Sequence, residues 1–370
     1  MQGNEESVQV VESAQQVWGL PLQPVGCSHC GQTFLLRNVK SESICPNCAQ
    51  ALLTVQPARL RKEAPEMMIP FKVKTDGLKN ALAQFVSGVW LAFDDFKVDA
   101  LLSRAVPVYL PMWLVDCEVR GVWQAEAGFD YQVKSSQEYF AGSGWQTREM
   151  LENRIRWEPR LGQIGRRYDN TLTPAMSNYN RIMTRLGEFS YKEAQAYNAS
   201  QLDDAVLRVP DLNTDQAWPL AREAMEKRVA QDCQKAAGAQ HLRNFSAQLD
   251  CSEQHWTQLL LPIYFTCYSD DDGRRYPLLI NGQSGAVSGV RLASQRKGWK
   301  WAGIIAGGAL VIFLLAMLCF ALGAVYAPAA LLGVVLTVVA FLTGIGAIIP
   351  AVWPWQWNRR QLGIDIKETS

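Results

Sequence analysis

The sequence WAGIIAGGALVIFLLAMLCFALGAVYAPAALLGVVLTVVAFLTGIGAIIPAVWPWQWN, from Trp301 to Asn358, contains no Asp, Glu, Lys, Arg or His. One helix needs about 20 apolar residues to cross a hydrocarbon core about 30 Å thick, so these 58 residues suffice for two crossings. Gly323 and Pro328 mark a turn between them. We therefore predict a transmembrane helical hairpin within residues 299–357, with helices at 301–325 and 328–353.

The alternative to a membrane hairpin is a helical hairpin buried in a soluble domain. A soluble core helix of this length normally keeps a polar face, and this stretch has none. Ionisable side chains inside a membrane mark proton or ion pathways, and they too are missing from the stretch. We therefore interpret the hairpin as an anchor and not as part of a transporter.

Charges on either side of the stretch predict its orientation. Basic residues precede the first helix and follow the second, whereas the turn between the helices is uncharged; these residues are Arg291, Arg296, Lys297, Lys300, Arg359 and Arg360. The positive-inside rule places such flanks in the cytoplasm. Both ends of the chain, including the tail 358–370 and the 300 residues upstream, are thus expected to be cytosolic.

Two cysteine pairs indicate a metal site. Cys27-Ser28-His29-Cys30 and Cys45-Pro46-Asn47-Cys48 are separated by 14 residues, the spacing of two knuckles that complete a tetrahedral four-sulfur site. We predict a zinc ribbon at 23–54 with Cys27, Cys30, Cys45 and Cys48 as ligands of a structural Zn²⁺. A redox role is less favoured because no βαβ pattern surrounds either pair. His29 is an alternative ligand, which four thiolates make unnecessary.

The sequence does not decide what such a zinc ribbon binds, since these modules bind either nucleic acid or protein. Its basic residues are interleaved with acidic ones, namely Arg37, Lys40, Arg59, Arg61 and Lys62 with Glu42, Glu63 and Glu66. The chain has 36 basic and 35 acidic residues and a net charge of +1, so it has no global attraction to nucleic acid. We therefore favour a protein partner over nucleic acid.

The fold class predicted for the whole chain is α+β. A tail at 1–22 and a linker at 55–67 flank the ribbon, and a mixed domain with antiparallel hairpins occupies 68–298. Hydrophobic periodicity predicts strands at 68–74, 106–120, 121–131, 242–249, 256–268 and 276–280. It also predicts helices at 76–90, 174–186, 191–197 and 214–237. Asp270–Gly273 is interpreted as a solvated hairpin turn and not a calcium loop, because EF-hand ligands alternate over twelve residues.

Two segments of this domain look alike. Tyr109-Leu110-Pro111-Met112-Trp113-Leu114-Val115 is followed by Gly121, and Leu260-Leu261-Pro262-Ile263-Tyr264-Phe265-Thr266 by Gly273. Each is a Leu-Pro-apolar-aromatic strand that we expect to turn at its glycine, which would make the two a duplicated hairpin. No nucleotide loop, nucleophile elbow or metalloprotease pattern accompanies them in the sequence. We therefore predict no enzymatic activity, no catalytic residue and no cofactor besides zinc.

The order of these features resembles a family. A two-knuckle ribbon, Ile69-Pro70-Phe71, the two Leu-Pro strands, Asn281-Gly282-Gln283-Ser284-Gly285 and a basic run before paired spans are similar to bacterial membrane-anchored zinc-ribbon proteins. These are encoded beside flotillin-like (SPFH) and phage-shock-type proteins, and are often labelled helicase- or replication-factor-like from the ribbon alone. The proline that usually precedes the final basic run in the family is absent from 290–294.

The resemblance implies a non-enzymatic adaptor or scaffold of the bacterial inner membrane, which holds SPFH or phage-shock-type protein partners at the cytosolic face during envelope stress. Whether it forms homo- or hetero-oligomers is left open. The alternative is a membrane-tethered, nucleic-acid-binding zinc-ribbon protein. Salt-dependent binding of DNA or RNA would distinguish the second from the first.

Overall fold

The computed structural model describes residues 8–13, 15–38, 43–61, 63–142, 144–202 and 204–368. Its α-helices are α1 Gln15–Trp18, α2 Thr75–Val86, α3 Val98–Ser103, α4 Tyr179–Leu186, α5 Thr214–Ala236, α6 Gln295–Gly323, α7 Ala327–Gly346 and α8 Ile348–Glu368. Its strands are β1 Val8–Val11, β2 Gln23–Cys27, β3 Thr33–Leu36, β4 Leu53–Val55, β5 Ala58–Arg61, β6 Met67–Met68, β7 Val106–Ala141, β8 Gly144–Pro174, β9 Gln195–Ala196, β10 Val206–Arg208, β11 His241–Ser269, β12 Arg275–Asn281 and β13 Val287–Ser288.

One mixed sheet organises these elements. Its strands follow the order β13-β12-β11-β7-β10-β3-β2-β4, while β8 pairs with β7 and β6 pairs with β11. The predicted α+β class with antiparallel hairpins is thus confirmed at this level. Helix α5 packs on the face of β7 and β8 through Ala221, Met225 and Val229, which contact Val119 and Tyr168. Helices α2 and α3 cover β11 and β12 in the same way.

The central strands are much longer than the sequence predicted. The segments 106–120 and 121–131 form the single 36-residue strand β7, and 242–249 and 256–268 lie within the 29-residue β11. The predicted turn at Gly121 is wrong, because Gly121 lies inside the sheet opposite Leu249 and Ile164. A Cβ there would lie 2.1 Å from the carbonyl oxygen of Gln248. Glycine here permits close approach of two strands and not reversal of the chain.

The two Leu-Pro segments belong to a larger repeat. A short strand, a helical segment and a hairpin follow one another twice, as β6-α2-β7-β8 and as β10-α5-β11-β12. The short strand of each half pairs in parallel with the hairpin of the other half. Leu110 lies opposite Leu261 where β7 and β11 pair, so the two Leu-Pro steps meet on a local two-fold axis. The sequence similarity therefore marks a repeated βαββ unit, whose first hairpin is long and whose second is short.

A matched pair of hydrogen bonds shows why both halves need an aromatic residue two positions after proline. The indole nitrogen of Trp113 donates to the carbonyl oxygen of Leu212 at 2.9 Å. The hydroxyl of Tyr264 donates to that of Val73 at 2.7 Å. Each carbonyl lies just before the start of a helix, α5 or α2. The polar tip of an aromatic side chain, buried for Trp113 and half-buried for Tyr264, thus fixes the entry to the helix in both halves.

Several other elements differ from their predictions. Of the predicted strand 68–74, only Met68 lies in a strand, the two-residue β6. The predicted helix at 191–197 is a three-residue 3₁₀ turn. The helix predicted from 76 ends at Val86. Strand β8 and helix α3 were not predicted. The turn at 270–273 does close a hairpin, with Gly273 in the left-handed region at φ 79°.

The segments assigned to the tail and the linker pair with each other. Strand β1 lies antiparallel to β5, with Val11 opposite Ala58. Both of these residues are buried, as is Leu60. Alternating apolar residues therefore form a two-stranded sheet next to the zinc ribbon. This small sheet packs in the same buried cluster as Leu35 of the zinc ribbon and Tyr109 of the central sheet.

Two C-terminal helical segments are long and apolar enough to cross a membrane: Gln295–Gly323, which is α6, and Ala327–Gly363, which comprises α7 and most of α8. Their apolar side chains are largely exposed, and Trp299, Trp301 and Trp355 are exposed near one end with Tyr326 at the turn. The close contacts between the helices involve Gly323 against Ala330 and Gly333 against Phe320. The structure thus supports membrane association through two apolar helices.

Candidate metal centre and the joint to the apolar helices

Two knuckle turns carry the four cysteines. The amide of Gly31 donates to the carbonyl oxygen of Cys27, and that of Ala49 donates to Cys45, both at 2.9 Å. Gly31 and Ala49 have φ of 70° and 59°. The two turns therefore have the same left-handed position after each cysteine pair, although only the first uses glycine, which adopts it without steric cost.

The knuckles bring the four sulfur atoms together. The Sγ atoms of Cys27 and Cys48 are 3.6 Å apart, as are those of Cys30 and Cys45, and all four lie within 4.8 Å of one another. Metal–sulfur bonds of about 2.3 Å in a tetrahedron separate the sulfurs by about 3.8 Å. The four predicted residues thus fit a tetrahedral metal site. Within the described ranges, no other group of three or more His, Cys, Asp or Glu side chains is placed to hold a metal.

Burial and hydrogen bonding act differently on these thiols. Burial raises the pKa of Cys45 and of Cys48. Burial also raises that of Cys30, but hydrogen bonds from the Asn47 side chain and the Gln32 backbone outweigh it and lower the pKa to about 7. His29 is exposed, in agreement with its interpretation as a knuckle residue outside the ligand set. The site is therefore closed by sulfur on all four sides.

A buried arginine lies next to the knuckles and was missed by the sequence reasoning. Arg208 is only 2% exposed, and its guanidinium donates to Gln32 Oε1 at 2.7 Å, to Asp211 Oδ2 at 3.2 Å and to Asn47 Oδ1 at 3.4 Å. Gln32 and Asn47 belong to the two knuckles. Burial lowers the pKa of Arg208, and Asp211 opposes that effect. A cation at this place offsets the negative charge of four thiolates.

The ribbon is part of the main sheet. Strand β3 pairs antiparallel with β10, with Phe34 opposite Arg208 and Leu35 opposite Leu207, and β10 pairs in turn with β7. Phe34, Cys27 and Cys45 belong to the same buried cluster as Leu110 and Ile263 of the central strands. A metal bound here would therefore stabilise one end of the whole sheet. The other five cysteines are free and lie apart from the site.

A polar joint connects the domain to the first apolar helix. Ser294 caps α6 by accepting from the amide of Lys297 at 3.0 Å, and its hydroxyl donates to the Asp271 carboxylate at 2.7 Å. The amide of Arg296 donates to the same carboxylate at 3.3 Å. The side chain of Arg296 pairs with Asp272 at 2.8 Å. The aspartates read from sequence as a solvated turn thus hold the start of the apolar helix.

The second apolar helix returns to the same joint. Asn358 accepts from the amide of Ala293 at 2.8 Å and donates to its carbonyl oxygen at 2.9 Å. The indole of Trp357 donates to the carbonyl oxygen of Arg291 at 2.6 Å, and Trp353 packs on Trp90 with ring centroids 5.3 Å apart. Both ends of the helical pair are therefore fixed to the domain by specific contacts.

Comparison with models of protein families, with curated proteins and with solved structures finds no match.

Proposed function

We propose that this chain is a non-enzymatic scaffold anchored in the bacterial inner membrane, which holds protein partners at the cytosolic face. The observation that carries the proposal is the joint between the domain and the helical pair. A tether would need only a flexible linker, whereas here Ser294, Asp271 and Asn358 connect the two by hydrogen bonds. A fixed joint presents the cytosolic surface in one orientation, which is what a scaffold requires.

The metal in this proposal is a structural Zn²⁺. Support comes from the four-sulfur set, since zinc prefers closed tetrahedral thiolate sites and a catalytic zinc keeps an open position. Cys27, Cys30, Cys45 and Cys48 leave none. The cytosolic location inferred from the basic flanks favours reduced thiols, and so metal binding over disulfides.

The partners would be proteins of the SPFH or phage-shock type, as the resemblance in sequence implies. The ribbon's position at one end of the main sheet favours a structural role for the metal over the separate knob that a nucleic-acid-binding ribbon presents. The balanced charge of the chain argues in the same direction.

Affinity purification from membranes in mild detergent, with quantitative mass spectrometry, tests the proposal. We expect a stoichiometric protein partner with the wild-type chain, and its loss with Cys45→Ser, while Cys319→Ser, which lies in α6 away from the metal site, retains it. Purification of the chain with no stoichiometric heterologous partner would overturn the scaffold proposal. Salt-sensitive binding of DNA or RNA by the zinc-loaded chain would instead support the nucleic-acid alternative.

A further inference from the structure

The hairpin of β7 and β8 extends well beyond the rest of the sheet. Strand β11 begins at His241, opposite Gly128, but β7 and β8 continue to pair as far as Ala141 and Gly144. Past Gly128 the β7–β8 hairpin therefore consists of two strands alone, over about 40 Å at about 3.3 Å per residue. An isolated two-stranded hairpin is at best marginally stable in water, which indicates that another chain or surface covers this part of the β7–β8 hairpin.

The open edge of β8 exposes both apolar side chains and backbone groups. Trp145 is 73% exposed, Leu151 63% and Leu161 81%, and alternation of the strand puts all three on one face. No strand in the described part of the chain pairs with the outer edge of β8. A long unpaired edge of this kind is a template for pairing with another chain.

The direction of the backbone groups along this edge follows from one hydrogen bond. The amide of Gln240 donates to the carbonyl oxygen of Gly128 at 3.1 Å, so Gly128 faces β11. Its neighbour Ala127 consequently faces β8, where it lies opposite Glu158. Backbone groups alternate along a strand, so odd-numbered residues of β8 from 145 to 159 point outward. Because Pro159 has no N–H, the row of backbone N–H groups that point outward ends at Trp157.

We propose that a second copy of this chain pairs with this edge, with β8 antiparallel to β8 about a two-fold axis at Asn153. In this register Arg148 lies opposite Glu158 of the second copy, and Glu152 opposite Arg154. By symmetry these make four pairs of opposite charge on one face. Opposite charges directly across a sheet are favourable.

The other face of the pairing brings apolar side chains together on both sides of Asn153, although Glu149 also lies on this face, opposite Trp157. In the same register Leu151 lies opposite Ile155, and Trp145 opposite Leu161, each twice. The two contacts cover the most exposed apolar side chains of the edge. Two-fold pairing thus brings apolar side chains together on one face and opposite charges together on the other. An isologous interface needs this self-complementarity.

Neighbouring registers are less favourable. A centre at Leu151 places Arg148 opposite Arg154, and a centre at Ile155 places Arg154 opposite Arg156. Like charges directly opposite each other destabilise a sheet. Within one chain Glu158 already contacts Arg156 at 2.9 Å, and the second copy would extend this pair into a network across the interface.

Disulfide trapping tests the register with the full chain in detergent. Residues facing each other in a hydrogen-bonded antiparallel pair have Cα atoms about 5.5 Å apart, within the range that a disulfide spans. Under mild oxidation Asn153→Cys should give a covalent dimer well above the wild-type background. Glu149→Cys is the matched control, because it lies on the same edge and face but about 26 Å from its copy. Absence of a dimer with Asn153→Cys, or equal trapping with Glu149→Cys, would overturn the proposal.

Charge reversal tests the pairing without a covalent bond. Arg148→Glu puts like charges opposite Glu158 twice in each dimer, and we expect it to weaken dimerisation about tenfold in sedimentation experiments. Adding Glu158→Arg should restore the wild-type value. A monomer for the wild-type chain at micromolar concentration, or failure of the double variant to recover dimerisation, would contradict the inference. Binding of the edge by a different protein would appear as a heterologous complex with a monomeric chain.

Discussion

Removal of the Asp271 carboxylate should loosen the joint between the domain and the apolar helices. Its oxygens accept from the Ser294 hydroxyl at 2.7 Å and from the Arg296 amide at 3.3 Å. A hydrogen bond to a charged group contributes about 1.5–3 kcal/mol, and an anion at a helix N-terminus a further 0.3–1 kcal/mol or so. Because the second contact is long, we expect Asp271→Ala to lower the free energy of opening the joint by about 2 kcal/mol.

Limited trypsin digestion of the full chain in detergent measures that opening, since Arg296 becomes a substrate only when the start of α6 unfolds. A loss of about 2 kcal/mol raises the cleavage rate about 30-fold when opening is fast and reversible. Asp272→Ala is the control from the same turn. It removes only the ion pair with Arg296, in which both side chains are about two-thirds exposed, and such pairs contribute little. Equal rates for the two variants, or no acceleration by Asp271→Ala, would refute the reasoning.

Three further predictions concern the domain itself. Cys45→Ser should reduce bound zinc from one equivalent to near zero, as measured by metal analysis, and should cause cooperative loss of sheet structure because the ribbon continues the main sheet. Trp113→Phe and Tyr264→Phe each leave one half-buried carbonyl without its donor, which should cost about 1–3 kcal/mol in urea denaturation. Trp113→Phe should cost more, because it also deletes ring atoms from a side chain that is 2% exposed; an unchanged stability of Tyr264→Phe would contradict the role given to these hydrogen bonds. The Arg104 and Ser269 hydrogen bonds hold the pKa of Asp95 below its usual value despite the opposing effect of burial, so Asp95→Asn should lose stability at pH 7. The difference from wild type should vanish as the pH falls through the lowered pKa; a difference that stays constant to pH 2 would contradict it.

The sequence was most informative where a local pattern has one physical solution. Cys27 and Cys45 begin two knuckles because sulfur ligands need a fixed spacing, and the uncharged C-terminal stretch has few alternatives to long helices. The hairpin at Asp270–Gly273 follows from the conformational freedom of glycine. These predictions depend on residues close together in the chain.

The sequence was misleading where long-range packing decides. Gly121 is a turn signal in isolation, but here it lets β7 approach Gln248, more than 120 residues later in the sequence. Arg208 gave no signal, because a single arginine in a three-residue strand is ordinary until Gln32 and Asn47 surround it. The role of Asp271 also depends on Ser294, which only the folded chain brings near. Strand β8 is rich in charged residues, so its hydrophobic alternation is weak.

The most direct test of a scaffold fixed to its anchor is the distance distribution between the domain and the returning helix. Spin-labelled amino acids at Lys79, exposed on α2, and Arg360, exposed on α8, would report it by pulsed electron paramagnetic resonance in lipid nanodiscs. With the doubly labelled chain diluted into excess unlabelled chain, so that distances between two copies do not contribute, we predict one narrow distribution. Its width is set by the rotamers of the label, and it broadens in Asp271→Ala. A broad or multiple distribution in the wild-type chain would contradict the account.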